Sequence, residues 1–184
     1  MGLFDLKLSD SPQYCASSNL QRVVSECGAW QALCEKGDPS DAAEKIIYGP
    51  HPGPWGIENF TPEELQTRFC EAQIWAPDQQ SELLDDTGNV LATPYRRGSL
   101  VLRVRRIVRE AEWNAGEQRC YQYLLAAADL LAIQMMELAN ADQAPRINAI
   151  NYTNPMLGDF AAQQAQGRYA HWYYVVNWGD PTEE

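Results

Sequence analysis

Nucleophilic chemistry in this chain would have to be built from two histidines and five cysteines. It needs a Cys or Ser within reach of an imidazole. His51 stands in Gly49-Pro-His-Pro-Gly-Pro-Trp-Gly56, and His171 shares a strand face with Tyr169 and Tyr173. A Cys120–His171 dyad is compatible with the spacing but has no positive support, so both histidines read as structural or solvent-facing. Cys15, Cys27, Cys34, Cys70 and Cys120 show neither a CxxC pair nor zinc-finger spacing, which reads as reduced core thiols. Phosphate chemistry lacks its usual cradle: no GxGxxG or GxxxxGK[ST] occurs, and the lysines are only Lys7, Lys36 and Lys45. An acid–base pair or metal site would draw on Asp85, Asp86, Glu110 and Glu112. However, Asp85-Asp86 runs into Thr-Gly-Asn89, which a turn explains. The expectation is a protein that is not an enzyme, with no catalytic residue, cofactor or metal.

The sharper cluster is Arg96, Arg97, Arg103, Arg105, Arg106 and Arg109. It sits in residues 96–119, which hold 7 of the 14 cations and a local charge of +4 in a chain of net charge −11. Residues 1–95 carry −10 and residues 120–184 carry −5. Arginine's planar fork suits carboxylates and interfaces, whereas so acidic a chain repels a polyanion at short range. Two readings stay open for the cluster. One is a solvated strand face with local salt bridges. The other is a subunit interface in which Arg96, Arg97, Arg103, Arg105 and Arg106 meet a neighbour's carboxylates. Trp55 and His51 are candidate contact residues on the proline-rich loop.

Hydrophobic periodicity supplies the elements that would position these residues. Leu20, Val23, Val24, Cys27, Trp30 and Cys34 predict a helix over Ser18–Cys34, with Ser18 and Gln21 as a capping box and Gly37 as its stop. Gly37–Phe60 reads as a Pro/Gly-rich insertion loop with one helical turn at Ala42–Ile47. Thr61-Pro-Glu-Glu64 opens a short helix. Phe69–Ala76 reads as a strand, and Asp78–Asn89 as an acidic segment ending in a turn. In Leu100–Val108, Leu100, Leu102 and Val104 face one way while Val101, Arg103 and Arg105 face the other. Arg106 breaks the alternation, which marks a bulge or the strand's end. Asn114-Ala-Gly-Glu117 would cap the longest helix, Glu117 to Asn140. Arg146–Thr153 and the alternating Tyr169–Trp178 would then pair antiparallel across a Gln/Ala/Gly-rich link, Asn154–Gly167.

The 184 residues, 45% of them hydrophobic, suit one α+β domain. It is expected to be a mainly antiparallel sheet packed against one long helix and an N-terminal helix, with residues 179–184 as a flexible acidic tail. No apolar run is long enough for a membrane span and no leader pattern opens the chain, so a soluble, cytoplasmically made protein without a membrane partner is expected.

The strand Ser99–Val108, the helix Glu117–Asn140 and the terminal pair Arg146–Trp178, closing on Tyr169-Ala-His-Trp-Tyr-Tyr-Val-Val-Asn-Trp178, resemble the tail-terminator proteins of long-tailed bacteriophages. That resemblance implies a hexameric ring in the phage neck that caps the tail tube and stops its growth. Its partners would be its own copies, the tail tube protein and the head-completion or connector proteins. Genome DNA would pass an acidic lumen without specific binding, and the ring would reside in the virion. It implies no activity, cofactor or catalytic residue. The alternatives are another neck protein, a small intracellular enzyme or ligand-binding α+β domain, and a nucleic-acid binder acting through the arginine strand.

Overall fold

The computed structural model describes residues 3–49, 57–84, 90–139, 146–162 and 165–179. Two 3-10 turns, Leu3–Asp5 and Leu8–Asp10, lead into helix α1 (Pro12–Glu26), followed by α2 (Gly28–Cys34), α3 (Pro39–Ala43) and strand β1 (Ile46–Tyr48). A 3-10 turn at Ile57–Asn59 and helix α4 (Pro62–Thr67) precede two long strands, β2 (Cys70–Leu84) and β3 (Val90–Val108). Then come α5 (Glu110–Asn114), α6 (Glu117–Ala139), β4 (Arg146–Tyr152), β5 (Met156–Ala162) and β6 (Ala165–Gly179). The expected α+β domain, with its antiparallel sheet, long helix and N-terminal helix, is what forms.

The six strands make one sheet in the order β1-β2-β3-β6-β4, with β5 also on β6. Among the described strands, only the β1–β2 pair is parallel. Register aligns the apolar parity of the three inner strands: Ala72 pairs with Val104 and Val104 with Trp172, while Ile74 pairs with Leu102 and Leu102 with Tyr174. All six side chains are buried, as are Leu100, Ala170 and Val176. Side chains alternate across a strand, so this shared parity gives one dry face. On it lie α1, through Leu20, Val23 and Val24, and α6, through Leu124, Leu131 and Met135. Three hydrogen bonds pin the packing inside this core. Trp172 Nε1 donates to Tyr174 Oη (2.7 Å), Tyr174 Oη donates to Ala128 O in α6 (2.8 Å), and Trp30 Nε1 donates to Ala42 O (3.0 Å). Burial pushes the Tyr174 phenol well above its usual range, so it stays a donor.

Several local expectations are corrected by the chemistry of chain breaks. The first helix starts at Pro12, where Ser11 Oγ accepts from the Tyr14 N–H (3.3 Å), because proline at the first helical position gives up a donor that would be unpaired anyway. It then breaks at Cys27, whose backbone is extended, and resumes as α2. Gln134 of α6 repairs that break by accepting from the Ala29 N–H (2.9 Å). The stop is Glu35 in the left-handed region (φ 55°) rather than Gly37. The Gly37–Phe60 segment is not all loop. Asp38 caps α3, β1 pairs with β2, and Ile57 and Phe60 are buried. Strand β2 runs through Pro77 because the register slips there by one residue, Trp75 facing Val101 but Asp78 facing Ser99. Such a bulge is where a sheet tolerates a residue without an N–H. The turn expected at 86–89 and the tail 180–184 lie outside the described residues. Arg106 does not end β3, since it pairs in register with Cys70 and Ala170.

The Gln/Ala/Gly-rich link also holds a strand. β4 and β5 run one after the other along β6, joined where the Thr153 N–H donates to Tyr173 O (3.0 Å) and the Tyr173 N–H donates to Thr153 Oγ1 (3.1 Å). In β5–β6 two glycines face aromatic residues, Gly158 with Tyr169 and Gly167 with Phe160. A Cβ on Gly158 would lie 2.7 Å from the Tyr169 ring, and one on Gly167 would lie 2.8 Å from the Phe160 ring. The glycines make room for rings that cross to the neighbouring strand.

Tyr174→Phe tests the core network, because it removes the acceptor of a buried indole N–H. We expect about 1–3 kcal/mol of lost stability in urea unfolding at neutral pH, with an unchanged far-ultraviolet circular dichroism spectrum.

Candidate interaction surfaces

Alternation along β3 sends Arg103 and Arg105 to the face away from α1 and α6, and Arg106 to the same side as Leu100, Leu102 and Val104. Arg105 is 1% exposed. Its Nη2 donates to Glu71 Oε2 (2.7 Å), and Glu71 sits directly opposite it on β2. Arg68 completes the cluster, with Nε donating to Glu71 Oε1 (2.7 Å) and its guanidinium 4.3 Å from the Phe60 ring centroid. Phe60, at the end of the 57–59 turn, also lies 5.0 Å from the Arg105 guanidinium. One buried carboxylate thus holds two cations against one aromatic ring.

Arg106 has different partners. Its Nη1 and Nη2 donate to the two Glu112 oxygens (2.9 and 2.6 Å), and its Nε donates to Leu33 O (3.2 Å). Arg109 grips Glu35 in the same forked manner (2.6 and 2.9 Å). These arginines tie β3 to α2, α5 and β2. The expected subunit interface at Arg105 and Arg106 is therefore corrected: both are buried in pairs within the chain, because a guanidinium out of water must find a carboxylate close by. Arg103 is half-buried, 5.3 Å from the Tyr173 ring. Arg96 and Arg97 lie farther along β3, in register with Ser81 and Gln80. Trp55 and His51 lie outside the described residues.

The dyad reading fails on geometry. His171 is on the sheet face opposite the buried Ala170 and Trp172, whereas Cys120 is on α6, which covers the buried face. Burial, then the Arg103 charge, pushes the His171 imidazole below its usual 6.5. It is stacked against Tyr169 and edge-on to Tyr173. Burial pushes the Cys27 thiol up to about 12 and raises Cys34 and Cys70 as well, which makes them packing groups rather than nucleophiles. Among the described residues, no group of three or more His, Cys, Asp or Glu is placed to hold a metal ion. Asp85 and Asp86 lie outside those residues, and Glu112 is held by Arg106.

What the fold leaves open is apolar. Phe4 is 98% exposed and Leu3, Leu6 and Leu8 are exposed beside it, while α6 turns Tyr123, Leu130 and Ile133 to solvent. Periodicity reading missed these because it ranks segments by their buried face. The available signal was Leu3-Phe-Asp-Leu-Lys-Leu8, four large apolar residues in six, ahead of a proline that starts a helix. Beyond the sheet, residues 90–96 of β3 pair with β2 but not with β6, which joins at Arg97, so the two strands continue as a two-stranded ribbon.

The chain matches no protein-family model and no curated protein. Among solved structures, a chain from the "Virion of native gene transfer agent (GTA) particle" is similar at 12% identity and a TM-score of 0.39, covering 89% of this chain and 93% of that one. A likeness at that level leaves the function to be read from the surfaces themselves.

Two measurements test the ion pairs. Glu71→Ala strands the Arg105 charge and should cost about 3–5 kcal/mol in urea unfolding, whereas Glu71→Leu combined with Arg105→Met should recover most of it. Burial raises the Glu112 carboxyl, but the Arg106 hydrogen bonds and the Arg109 N–H outweigh it, and the net position is below the usual 4.5. That stabilisation is complete above pH 4.5 and is lost as pH falls through the lower folded value. Between about pH 5 and pH 3, stability of Glu112→Gln should therefore fall less steeply than that of the wild type.

Proposed function

We propose that this chain is a virion structural protein of the phage neck, a subunit of the ring that caps the tail tube and joins tail to head. The observation that carries the reading is the contrast between its charges and its apolar surface. The central arginines are consumed within the fold, while Leu3, Phe4, Leu6 and Leu8 near the start and Tyr123, Leu130 and Ile133 on α6 are exposed, and among the described residues β2 and β3 continue past β6 as a two-stranded ribbon. A two-stranded ribbon alone is marginal in water, and exposed apolar stretches of this kind mark contacts between chains. An assembly subunit uses such surfaces when it meets its neighbours.

The net charge of −11 fits a ring around passing DNA. A wall that repels phosphates lets the genome slide, where one lined with arginines would hold it. The nucleic-acid-binder reading loses support because Arg105, Arg106 and Arg109 each have a carboxylate within 2.9 Å. No described helix is long and apolar enough to cross a membrane. A neck ring made in the host cytoplasm and retained in the virion is the resulting picture, with copies of the chain, the tail tube protein and a head-completion protein as partners.

Polymerising tail tube protein from the same phage, supplied with the purified chain, tests this. Light scattering should show a closed oligomer, expected to be a hexamer, and negative-stain microscopy should show shorter tubes with added density at one end. A chain that stays monomeric and leaves tube length unchanged overturns the reading.

A further inference from the structure

The solvent side of α6 carries a pattern that its buried side does not explain. Arg119, Tyr123, Ala126, Leu130, Ile133 and Glu137 are all exposed, and they follow one another at alternating steps of four and three residues. That is the spacing, about 3.5 residues, of a seam between two helices. The seam runs opposite Leu124, Ala128, Leu131 and Met135, which pack in the core. On one flank, α2 leaves an open groove of about 520 Å³ walled by Ala29, Ala32 and Ala127, small residues that leave room for the side chains of another helix. On the other flank, Tyr152 Oη donates to Asp129 Oδ1 (2.6 Å), which holds that carboxylate toward β4.

Two properties of the seam select what covers it. The first is symmetry: about Ala128, Ala126 answers Leu130, Tyr123 answers Ile133 and Arg119 answers Glu137. A stripe that reads the same in both directions is complementary to a second copy of itself laid antiparallel, and such a two-fold contact closes on two chains. The second is the placement of the end charges. Arg119 stands in the first turn of α6 and Glu137 in the last, each at the end of the helix where the backbone dipole opposes its sign. Neither makes a salt bridge among the described residues. The Arg119 guanidinium lies 5.7 Å from the Tyr123 ring, along the seam. Glu137 is eighteen residues, about five turns, beyond Arg119, too far to meet it within one helix. In an antiparallel pair each charge lies beside its opposite and over the favourable dipole end of the other helix. A parallel pair would set like charges together.

We propose that α6 pairs antiparallel with α6 of a second copy about a two-fold axis over Ala128, with Leu130 and Ile133 of one chain seated against Ala126 and Tyr123 of the other and Arg119 beside Glu137 at both ends. The contact goes beyond the neck reading and does not depend on it, because a two-fold pair closes on itself and does not by itself propagate around a ring. Two chains of net charge −11 repel one another at long range. Apolar burial along the seam therefore drives the pairing, and the end charges fix its direction.

Charge reversal in the full-length protein tests both the partner and the direction. In sedimentation at low salt, Arg119→Glu alone and Glu137→Arg alone should each weaken self-association about tenfold, since each sets two like-charge pairs across the contact. Mixing the two variants should restore wild-type affinity as a heterodimer, because every end pair in the mixed dimer is again one acid and one base. Each reversal also suits the dipole of its own helix better, so lost association does not come from a damaged helix. Leu130→Gln together with Ile133→Gln should weaken association about tenfold or more at high and low salt alike, with an unchanged far-ultraviolet circular dichroism spectrum because both side chains are exposed. A wild-type chain that stays monomeric throughout the micromolar range, reversed chains that associate as the wild type does, or a mixture no tighter than either variant alone would each overturn the proposal. If rings form and cap tubes while the seam substitutions change nothing, this contact falls and the neck reading stands. If the mixed dimer forms but tubes are ignored, the neck reading falls and the contact stands.

Discussion

Strand β3 lies between β2 and β6 along Leu100–Arg106, so neither of its edges is available to water there and each of its faces must be settled by what stands opposite. One parity is apolar. Leu100, Leu102 and Val104 match Ala72, Ile74, Trp172, Tyr174 and Val176 across the neighbouring strands, and α1 and α6 are held to that surface. A one-residue slip of β3 would exchange this parity for Val101, Arg103 and Arg105. The register is therefore fixed by the cost of placing guanidinium groups under a helix, more than by the hydrogen bonds of the ladder, which a slipped strand would largely remake.

The same constraint explains the exception. Arg106 has the core parity and is nevertheless in register, so its charge enters the layer between sheet and helices. A cation there requires a carboxylate and further acceptors, and Glu112 of α5 and Leu33 O of α2 supply them. The short helix after β3 and the end of α2 are thereby held near one side chain. On the opposite face, Arg105 draws Glu71, Arg68 and Phe60 together, which covers that end of the sheet with residues 57–68. An arginine-rich strand in an acidic protein thus acts as a set of internal ties, and large apolar side chains such as Phe4, Tyr123 and Ile133 are left exposed.

Much of this was legible from sequence where the physics is periodic. The parity of Leu100, Leu102 and Val104, the extent of α6, the capping box at Thr61 and the alternation of Tyr169–Trp178 all follow from single-element patterns, and all are present. What was not legible depends on a second element. The opposite-face arginines look exposed until Glu71 is known to sit across from Arg105. Gly158 and Gly167 look like linker residues until Tyr169 and Phe160 are known to lie over them. Pro77 looks like a strand terminator until β3 supplies the bulge, and the break at Cys27 is bridged by Gln134, more than a hundred residues away in sequence. For the candidate surface, the cation cluster was visible but its destination was not.

Strand order carries a kinetic consequence. β6 follows every other strand in sequence, yet it stands inside the sheet, between β3 on one side and β4 with β5 on the other. β2–β3 and β5–β6 are each local hairpins, whereas seating Arg168–Gly179 along Arg97–Val108 closes a loop that contains all of α6. Closing long loops is entropically costly and slow. During synthesis, β3 therefore waits with one edge bare until the last strand has left the ribosome. The nascent chain passes through a state that displays both an open strand and the uncovered helix face meant to lie on it. A sheet with this topology is completed only once β6 has emerged, and in that interval chaperone capture competes with the docking of β6.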